Sequence, residues 1–465
     1  MKKIASILVF AILSVTLSAQ DISGAWKGVL SVGAMQLHIV FNVTKTDAGY
    51  SATMDSPDQG AYGIPVATTS FENNVLKFEA PNLGIQYEGT LDLSQSISGN
   101  FRQSGQTFPL TLSRQKQEEK IQRPQEPVKP YPYLSEDIVF ENKKDTIQLA
   151  GTLTLPKGAG VFPAVVLISG SGPQNRDEEL MGHKPFLVWS DFLTRNGIAV
   201  LRFDDRGTAA SKGNFKTATT PDFVSDVEAA VQYLKTRKEI DKKKIGLIGH
   251  SEGGIIAPMV AAGCKDVSYI VLLAGTGVPG NEILLLQQEL IGRANGISEA
   301  DLQKSQQINK GAFDIIIRTK DTEKRKVDLN NYLKQAFERD TTLEIPQGIT
   351  KDELISKQVS QLTSPWMVYF ITHDPAPVLQ KVKCAVLAVN GDKDLQVPAQ
   401  VNLEAIKKAL DKGGNKKVTT KIFPGLNHLF QECKTGSPSE YAGIEQTISP
   451  AVLNEVTQWI VKQTK

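Results

Sequence analysis

The chain has 465 residues, more than one ordinary domain needs, so two or three folding units are expected. Its 40% hydrophobic and 22% charged residues are ordinary globular proportions, so disorder is not the default reading. The 52 Lys and Arg nearly match the 50 Asp and Glu. A surface so balanced does not steer toward nucleic acid or an anionic membrane, and no nucleic-acid partner is expected.

The chain opens with Lys2 and Lys3. A mostly apolar stretch follows from Ile4 to Leu17, broken by Ser6, Ser14 and Thr16, and ends on Ser18-Ala19. This pattern predicts a secretory signal peptide over residues 1–19, hence a periplasmic or secreted protein. The apolar run is too short for a comfortable span and polar Gln20-Asp21 follows it, so no membrane span is expected after its removal. Removal of Lys2 and Lys3 from the 52 basic residues brings them level with the 50 acidic ones. The three cysteines, Cys264, Cys384 and Cys433, have no metal-like spacing, and no disulfide is assigned.

Residues 21–115 read as an all-β accessory domain. Short alternating runs at Met35 to Phe41, Val75 to Phe78, Tyr87 to Leu91 and Phe108 to Leu112 are separated by Gly, Asn and Asp, at the spacing of a barrel or sandwich. The opening Asp21-Ile22-Ser23-Gly24-Ala25-Trp26-Lys27-Gly28 resembles the start of small lipocalin-like barrels. Residues 116–134 begin with a charged run and contain Pro124, Pro127, Pro130 and Pro132, which predicts a stiff, extended linker.

From residue 135 to 465 the pattern becomes α/β. Continuous apolar runs at Phe162 to Ile168, Ile198 to Leu201, Ile245 to Ile248, Tyr269 to Ala274 and Ala385 to Val389 fit parallel strands buried on both faces. Amphipathic helices lie between them. The clearest starts at Thr220-Pro221-Asp222 and carries Phe223, Val227, Val231 and Leu234 on one face. Such alternation builds a doubly wound, mostly parallel sheet. Residues 280–375 lack strand runs and have helix-like periods, which predicts a helical cap over the carboxyl edge of that sheet.

Gly249-His250-Ser251-Glu252-Gly253 follows the strand Lys244 to Ile248 directly, and a helical stretch, Ile255 to Ala262, follows it. Strand, G-x-S-x-G turn and helix together form a nucleophile elbow, with Ser251 as nucleophile. The region from 135 to 465 is similar to the α/β-hydrolase family, in particular its bacterial serine esterases and prolyl-peptidase-like members. Four further segments carry that resemblance. Ile168-Ser169-Gly170-Ser171-Gly172-Pro173 stands where the family places an oxyanion donor. Phe203-Asp204-Asp205-Arg206-Gly207 resembles a D-x-R-G stretch, with Ala209 where the family often has glycine. Asn390-Gly391-Asp392-Lys393-Asp394 resembles the acid loop, and Phe423-Pro424-Gly425-Leu426-Asn427-His428 the histidine loop.

A serine hydroxyl needs an adjacent base. Of the five histidines, His38 lies in the β domain, His250 adjoins the serine in the elbow, and His183 and His373 follow no strand. His428 follows the strand Val418 to Phe423 and is the expected base. Asp392 and Asp394 compete to orient it, and the family spacing selects Asp394. The oxyanion needs two aimed N–H donors: the backbone of Glu252, at the start of a helix, and that of Ser171. Trp366, Tyr369 and Phe370 either line an acyl pocket or fill the cap core. Gln174-Asn175-Arg176-Asp177 reads as a solvated extension of the oxyanion loop, and Asp205 and Arg206 as a structural pair that braces loops. The residues imply a serine hydrolase without metal or cofactor that cleaves a small carboxylic ester. The alternatives are an exopeptidase of the same fold, and a binding protein with an inert hydrolase domain.

Overall fold

The computed structural model describes residues 21–32, 35–47, 49–59, 61–92, 95–103, 106–114, 121–339 and 349–465. The expected signal peptide, 1–19, and the first part of the expected linker, 115–120, lie outside these residues. The described residues form two compact units, one within 21–114, the other within 121–339 and 350–465.

The first unit is a nine-stranded antiparallel sheet: β1 (Gly24–Val32), β2 (Met35–Thr46), β3 (Gly49–Ser56), β4 (Ala61–Val66), β5 (Thr68–Glu72), β6 (Val75–Ala80), β7 (Ile85–Leu91), β8 (Ser96–Gln103) and β9 (Gln106–Arg114). The spatial order is β4-β3-β2-β1-β9-β8-β7-β6-β5. Ala67 alone separates the two edge strands in sequence, so the sheet curls into a nearly closed barrel. Alternation puts every second residue inside: along β7 the pattern is strictly buried and exposed from Ile85 to Leu91. The interior is filled by Trp26, Phe41, Phe78, Tyr87 and Phe101 with aliphatic neighbours, and Phe41 stacks on Phe78 at 4.2 Å. Among the described residues these side chains pack on one another across the interior, as in small barrels.

The second unit holds an eight-stranded sheet: β10 (Leu134–Asn142), β11 (Ile147–Leu155), β12 (Phe162–Ile168), β13 (Ala199–Phe203), β14 (Ile240–His250), β15 (Val267–Leu273), β16 (Ala385–Gly391) and β17 (Val418–Phe423). Their order is β10-β11-β13-β12-β14-β15-β16-β17. β11 pairs antiparallel with β10 and β13, and the strands from β13 to β17 are parallel. The helices are α1 (Pro185–Arg195), α2 (Thr220–Thr236), α3 (Gly253–Gly263), α4 (Gly280–Ala294), α5 (Glu299–Arg318), α6 (Thr322–Arg339), α7 (Lys351–Leu362), α8 (Pro365–Thr372), α9 (Ala376–Leu379), α10 (Ala399–Lys412) and α11 (Pro450–Gln463). Helices α2, α3 and α10 cover one face through Val227, Val231, Ile256, Val260 and Ile406. Helices α1 and α11 cover the other through Trp189, Leu193, Val452 and Ile460. The chain runs outward from β12 to β13 and returns to β14, so the crevice for a ligand opens between the carboxyl ends of β12 and β14.

Helices α4 to α8 leave the sheet after β15 and pack on Phe313, Ile316, Leu329 and Ile355. Two sequence expectations shift. The N-cap of α2 is Thr219, one residue early, because Thr219 and Asp222 form a capping box. Residues 121–133 are not a free spacer. Arg123 donates to the carbonyls of Gly182, Ala442 and Ile444, and Gln125 bonds Thr447 and Ile448. With a further Arg123 bond to the Met181 carbonyl, seven bonds to backbone hold this segment on the second unit where proline density alone implied a strut.

Candidate active site

The elbow after β14 is built by contact. A Cβ on Gly249 would lie 2.0 Å from the Gly253 carbonyl oxygen, one on Gly253 would lie 2.3 Å from that of Ile168, and one on Gly254 would meet Gly275 Cα at 2.5 Å. No side chain fits at these three positions. Ser251 itself sits at φ +53°, a strained conformation for a residue with a Cβ. Its N–H is tied to the Leu273 carbonyl at 2.9 Å, which fixes the turn with the side chain at the sheet edge.

The acid loop after β16 and the histidine loop after β17 meet beside it. Asp394 Oδ2 accepts from His428 Nδ1 at 2.7 Å, and its Oδ1 accepts the N–H groups of Gln396 and Val397, each at 2.8 Å. Both residues are buried. Asp392 is exposed and accepts from Gly425 N–H at 2.6 Å, so the structure brings Asp394, not Asp392, to the imidazole. With Nδ1 engaged, Nε2 of His428 is left to the cavity that Ser251 also lines.

That cavity has a volume of about 290 Å³. It is lined by the apolar side chains of Ile283, Leu284, Trp366, Phe370, Val397 and Leu429, and by Gly170, Ser171, Gln174 and the elbow. Among the described residues, neither the Ser171 nor the Glu252 backbone N–H has an acceptor, whereas the Gly170 N–H is spent on Glu178 Oε1 at 2.8 Å. Trp366 and Phe370 reach the cavity from α8. Tyr369, expected with them, does not line it: one residue along, the helix turns its hydroxyl to Met259 Sδ at 3.9 Å and its ring onto His373.

Three buried carboxyls surround the oxyanion loop. The Glu252 side chain accepts from Trp366 Nε1 at 2.8 Å and Thr220 Oγ1 at 2.7 Å, and from the Ser171 hydroxyl; burial nonetheless raises its pKa. Asp205 takes Ser169 Oγ at 2.8 Å and the Gln174 N–H at 2.9 Å, and burial pushes it up to about 8. Glu178, at φ +50°, faces His250 Nδ1 at 2.9 Å. Burial opposes charge on His250, but Glu178 outweighs it and the ring is held above its ordinary value.

The structure corrects two loop readings. Asp205 and Arg206 do not pair with each other: Arg206 binds Asp226 and Asp145, each at 2.7 Å, while Asp205 braces the oxyanion loop. The stretch from Gln174 is not solvated either. Arg176 binds Asp204 at 2.7 Å, Asp177 pairs with Arg202, and Gln174 lines the cavity. Ala209 holds φ +47°, which explains why glycine suits that position. Sequence reasoning missed Glu178 and His250. The only local sign of Glu178 was its place eight residues beyond Gly170, and an elbow neighbour of the serine gives no sign of where its ring ends. All three cysteines are free. Among the described residues no group of three or more His, Cys, Asp or Glu could hold a metal ion, and no helix is long and apolar enough to cross a membrane.

The chain is similar to known proteins. Residues 145–409 fit the family model of the X-Pro dipeptidyl-peptidases (S15 family), a span that includes Ser251 and Asp394 and stops short of His428. Esterase EstD of Thermotoga maritima is 29% identical over 331 residues, 70% of this chain and 68% of that protein. Among solved structures, the Pyrococcus furiosus esterase Pf2001 aligns with a TM-score of 0.43 at 15% identity, over 72% of this chain and 92% of its own. Est1E from Butyrivibrio proteoclasticus, bound to ferulic acid, aligns with a TM-score of 0.41 at 18% identity, over 70% and 99%. With more than half of its length in the family match and the sheet order described above, the chain belongs to the X-Pro dipeptidyl-peptidase (S15) family and is a serine hydrolase of the α/β-hydrolase fold.

Proposed function

We propose that the protein hydrolyses small carboxylic esters through an acyl enzyme on Ser251. His428 Nε2 takes the Ser251 hydroxyl proton as Oγ bonds the ester carbonyl carbon. Asp394 holds the Nδ1–H tautomer and balances the imidazolium. The backbone N–H groups of Ser171 and Glu252 receive the oxyanion, each worth about 3 kcal/mol in such sites. The carbon–alkoxy bond then breaks and His428 returns the proton to the departing alcohol. Water, deprotonated by the same imidazole, releases the acid and restores the serine. Trp366 and Phe370 hold the acyl chain.

The observation that carries the ester reading is the commitment of both glutamates in the cavity. A peptidase that grips a free amino terminus needs a carboxylate to meet it. Glu178 is taken by His250 and Gly170, and Glu252 by Trp366 and Thr220. The family match favours the second reading, cleavage of aminoacyl-prolyl amides. A panel of p-nitrophenyl esters and X-prolyl amides decides between them. Esters are expected to react at least about 100-fold faster in kcat/KM, a gap of about 2.7 kcal/mol in transition-state binding; faster cleavage of the amides would reverse the assignment. A fluorophosphonate should label Ser251 and no other serine, and label elsewhere removes Ser251 from its role. On the strength of residues 1–19, the enzyme is exported.

A further inference from the structure

His250 is buried and belongs to no step above. Both of its ring nitrogens face acceptors. Nε2 lies 3.1 Å from the His428 carbonyl oxygen, which can only accept, so Nε2 carries a proton. Nδ1 lies 2.9 Å from Glu178 Oε1, the same oxygen that accepts the Gly170 N–H at 2.8 Å. A carboxylate in such a place draws a second proton onto the ring, and, despite its burial, the ring is held above its ordinary value by Glu178. The ionisable groups facing the ring are Glu178 from the oxyanion loop, Asp394 from the acid loop and His428, whose ring centroid is 4.9 Å away.

The topology gives this pair a purpose. The oxyanion loop follows β12 and the histidine loop follows β17, with β14, β15 and β16 between them in the sheet. Each loop must hold its reacting group to a fraction of an ångström for turnover. His250, at the end of β14, touches both. Resting on the assignment of Ser251 and His428, we propose that His250 is a positioning residue, held as an imidazolium, that bolts the oxyanion loop to the histidine loop through Glu178 on one side and the His428 carbonyl on the other. The strained backbone of Glu178, at φ +50°, is what brings its carboxylate under the Gly170 N–H, leaving the N–H of Ser171 to point at the oxyanion.

The state of the ring is tested on the full chain with ¹⁵N-labelled histidine, the His250 signals being assigned by their loss in His250→Gln. Both ring nitrogens should be protonated at pH 7.5; a bare nitrogen at either position overturns the proposal, whatever the variants do. The role is tested by turnover of p-nitrophenyl acetate. His250→Asn retains the reach to Glu178, and His250→Gln the reach to His428, so neither restores the bridge. Each should lower kcat by roughly 10- to 100-fold, less than outright loss of an oxyanion donor, with KM within about twofold. Unchanged kcat in either variant overturns the proposal. Ser251→Ala separates the two readings. Full kcat in a His250 variant beside an inactive Ser251→Ala removes the positioning role alone. Turnover retained in Ser251→Ala removes the site it rests on, and the positioning role with it.

Discussion

The barrel and the carboxyl edge of the hydrolase sheet solve burial in opposite ways. Among the described residues of the barrel, Ser56 is the one buried polar side chain, and the interior heteroatoms of Trp26 and Tyr87 donate to nearby backbone carbonyls. Aromatic rings do the rest. The hydrolase unit instead buries Glu178, Asp204, Asp205, His250, Glu252, Asp394 and His428, most of them around one crevice. Each buried ionisable group costs several kcal/mol unless its partners are fixed in advance. A cluster of them at one crevice marks a place where chemistry needs oriented charge. The barrel is packed for shape; the sheet edge is packed for electrostatics.

The sharpest break in that contrast comes from removing one oriented charge while keeping its shape. Asp394→Asn leaves the volume unchanged, yet it presents a donor to Nδ1 and favours the wrong tautomer of His428. Turnover of a p-nitrophenyl ester should fall by roughly 10⁴-fold. Asp392→Asn, at an exposed turn, should stay within about twofold. The reverse ranking would mean that the wrong carboxylate orients the base.

A second test reads the cost of buried charge through pH. Burial raises Asp205 to about 8, whereas in the unfolded chain it titrates near 4. Between these values the folded state binds the extra proton, so unfolding free energy falls as pH rises through this window, by up to about 1.4 kcal/mol per unit. Asp205→Asn removes that contribution. Urea denaturation at pH 5 and pH 7 should show a smaller difference between the two conditions in the variant than in the parent. An equal or larger difference would place the carboxyl among ordinary aspartates.

Trp366 joins the two kinds of packing, since its ring lines the cavity while its Nε1 donates to buried Glu252. Trp366→Ala should shift the preferred acyl chain to longer esters, with about tenfold lower kcat/KM for the acetate, the scale of one good apolar contact. Uniform loss across chain lengths with a lowered melting temperature would assign the ring to the cap core alone.

How much of this was legible in the sequence follows the same division. Buried parallel strands are continuous apolar runs, and the run from Phe162 to Ile168 coincides with β12. The elbow was legible because its glycines are forced by backbone contacts within a few residues of chain. The pairing of Asp394 with His428 was legible through loop spacing. The bracing was not. Glu178 with His250, Glu252 with Trp366 and Asp205 with Gln174 join residues 72, 114 and 31 positions apart, and no local period encodes such pairs. Tyr369 was misplaced because a dense aromatic run does not state which helix face meets the cavity. Residues 121–133 were misread because proline density predicts stiffness but not the seven hydrogen bonds that the side chains of Arg123 and Gln125 make.

The smallest expected effect is the most informative about the barrel. Every residue in the proposed reaction lies beyond Ile121, and the hydrolase unit has its own core on both faces of its sheet. A truncation beginning at Ile121 keeps Arg123 on Gly182, Ala442 and Ile444 and Gln125 on Thr447 and Ile448. Its turnover of a small soluble ester should stay within about twofold of the longer chain. A truncation beginning at Pro130 loses both side chains. Those bonds hold the segment from Ala442 to Ile448, whose Thr447, with the Tyr441 carbonyl just before it, binds the ring nitrogens of buried His183. Hydrogen bonds of this kind contribute about 1 kcal/mol each, so the shorter protein should unfold at a lower temperature while its kcat, measured well below that temperature, stays close to that of the longer truncation. If the Ile121 truncation folds but loses turnover by orders of magnitude, the barrel helps to build the active site and the contrast between the two regions fails. If the two truncations melt together, residues 121–129 are the passive strut that their prolines suggested.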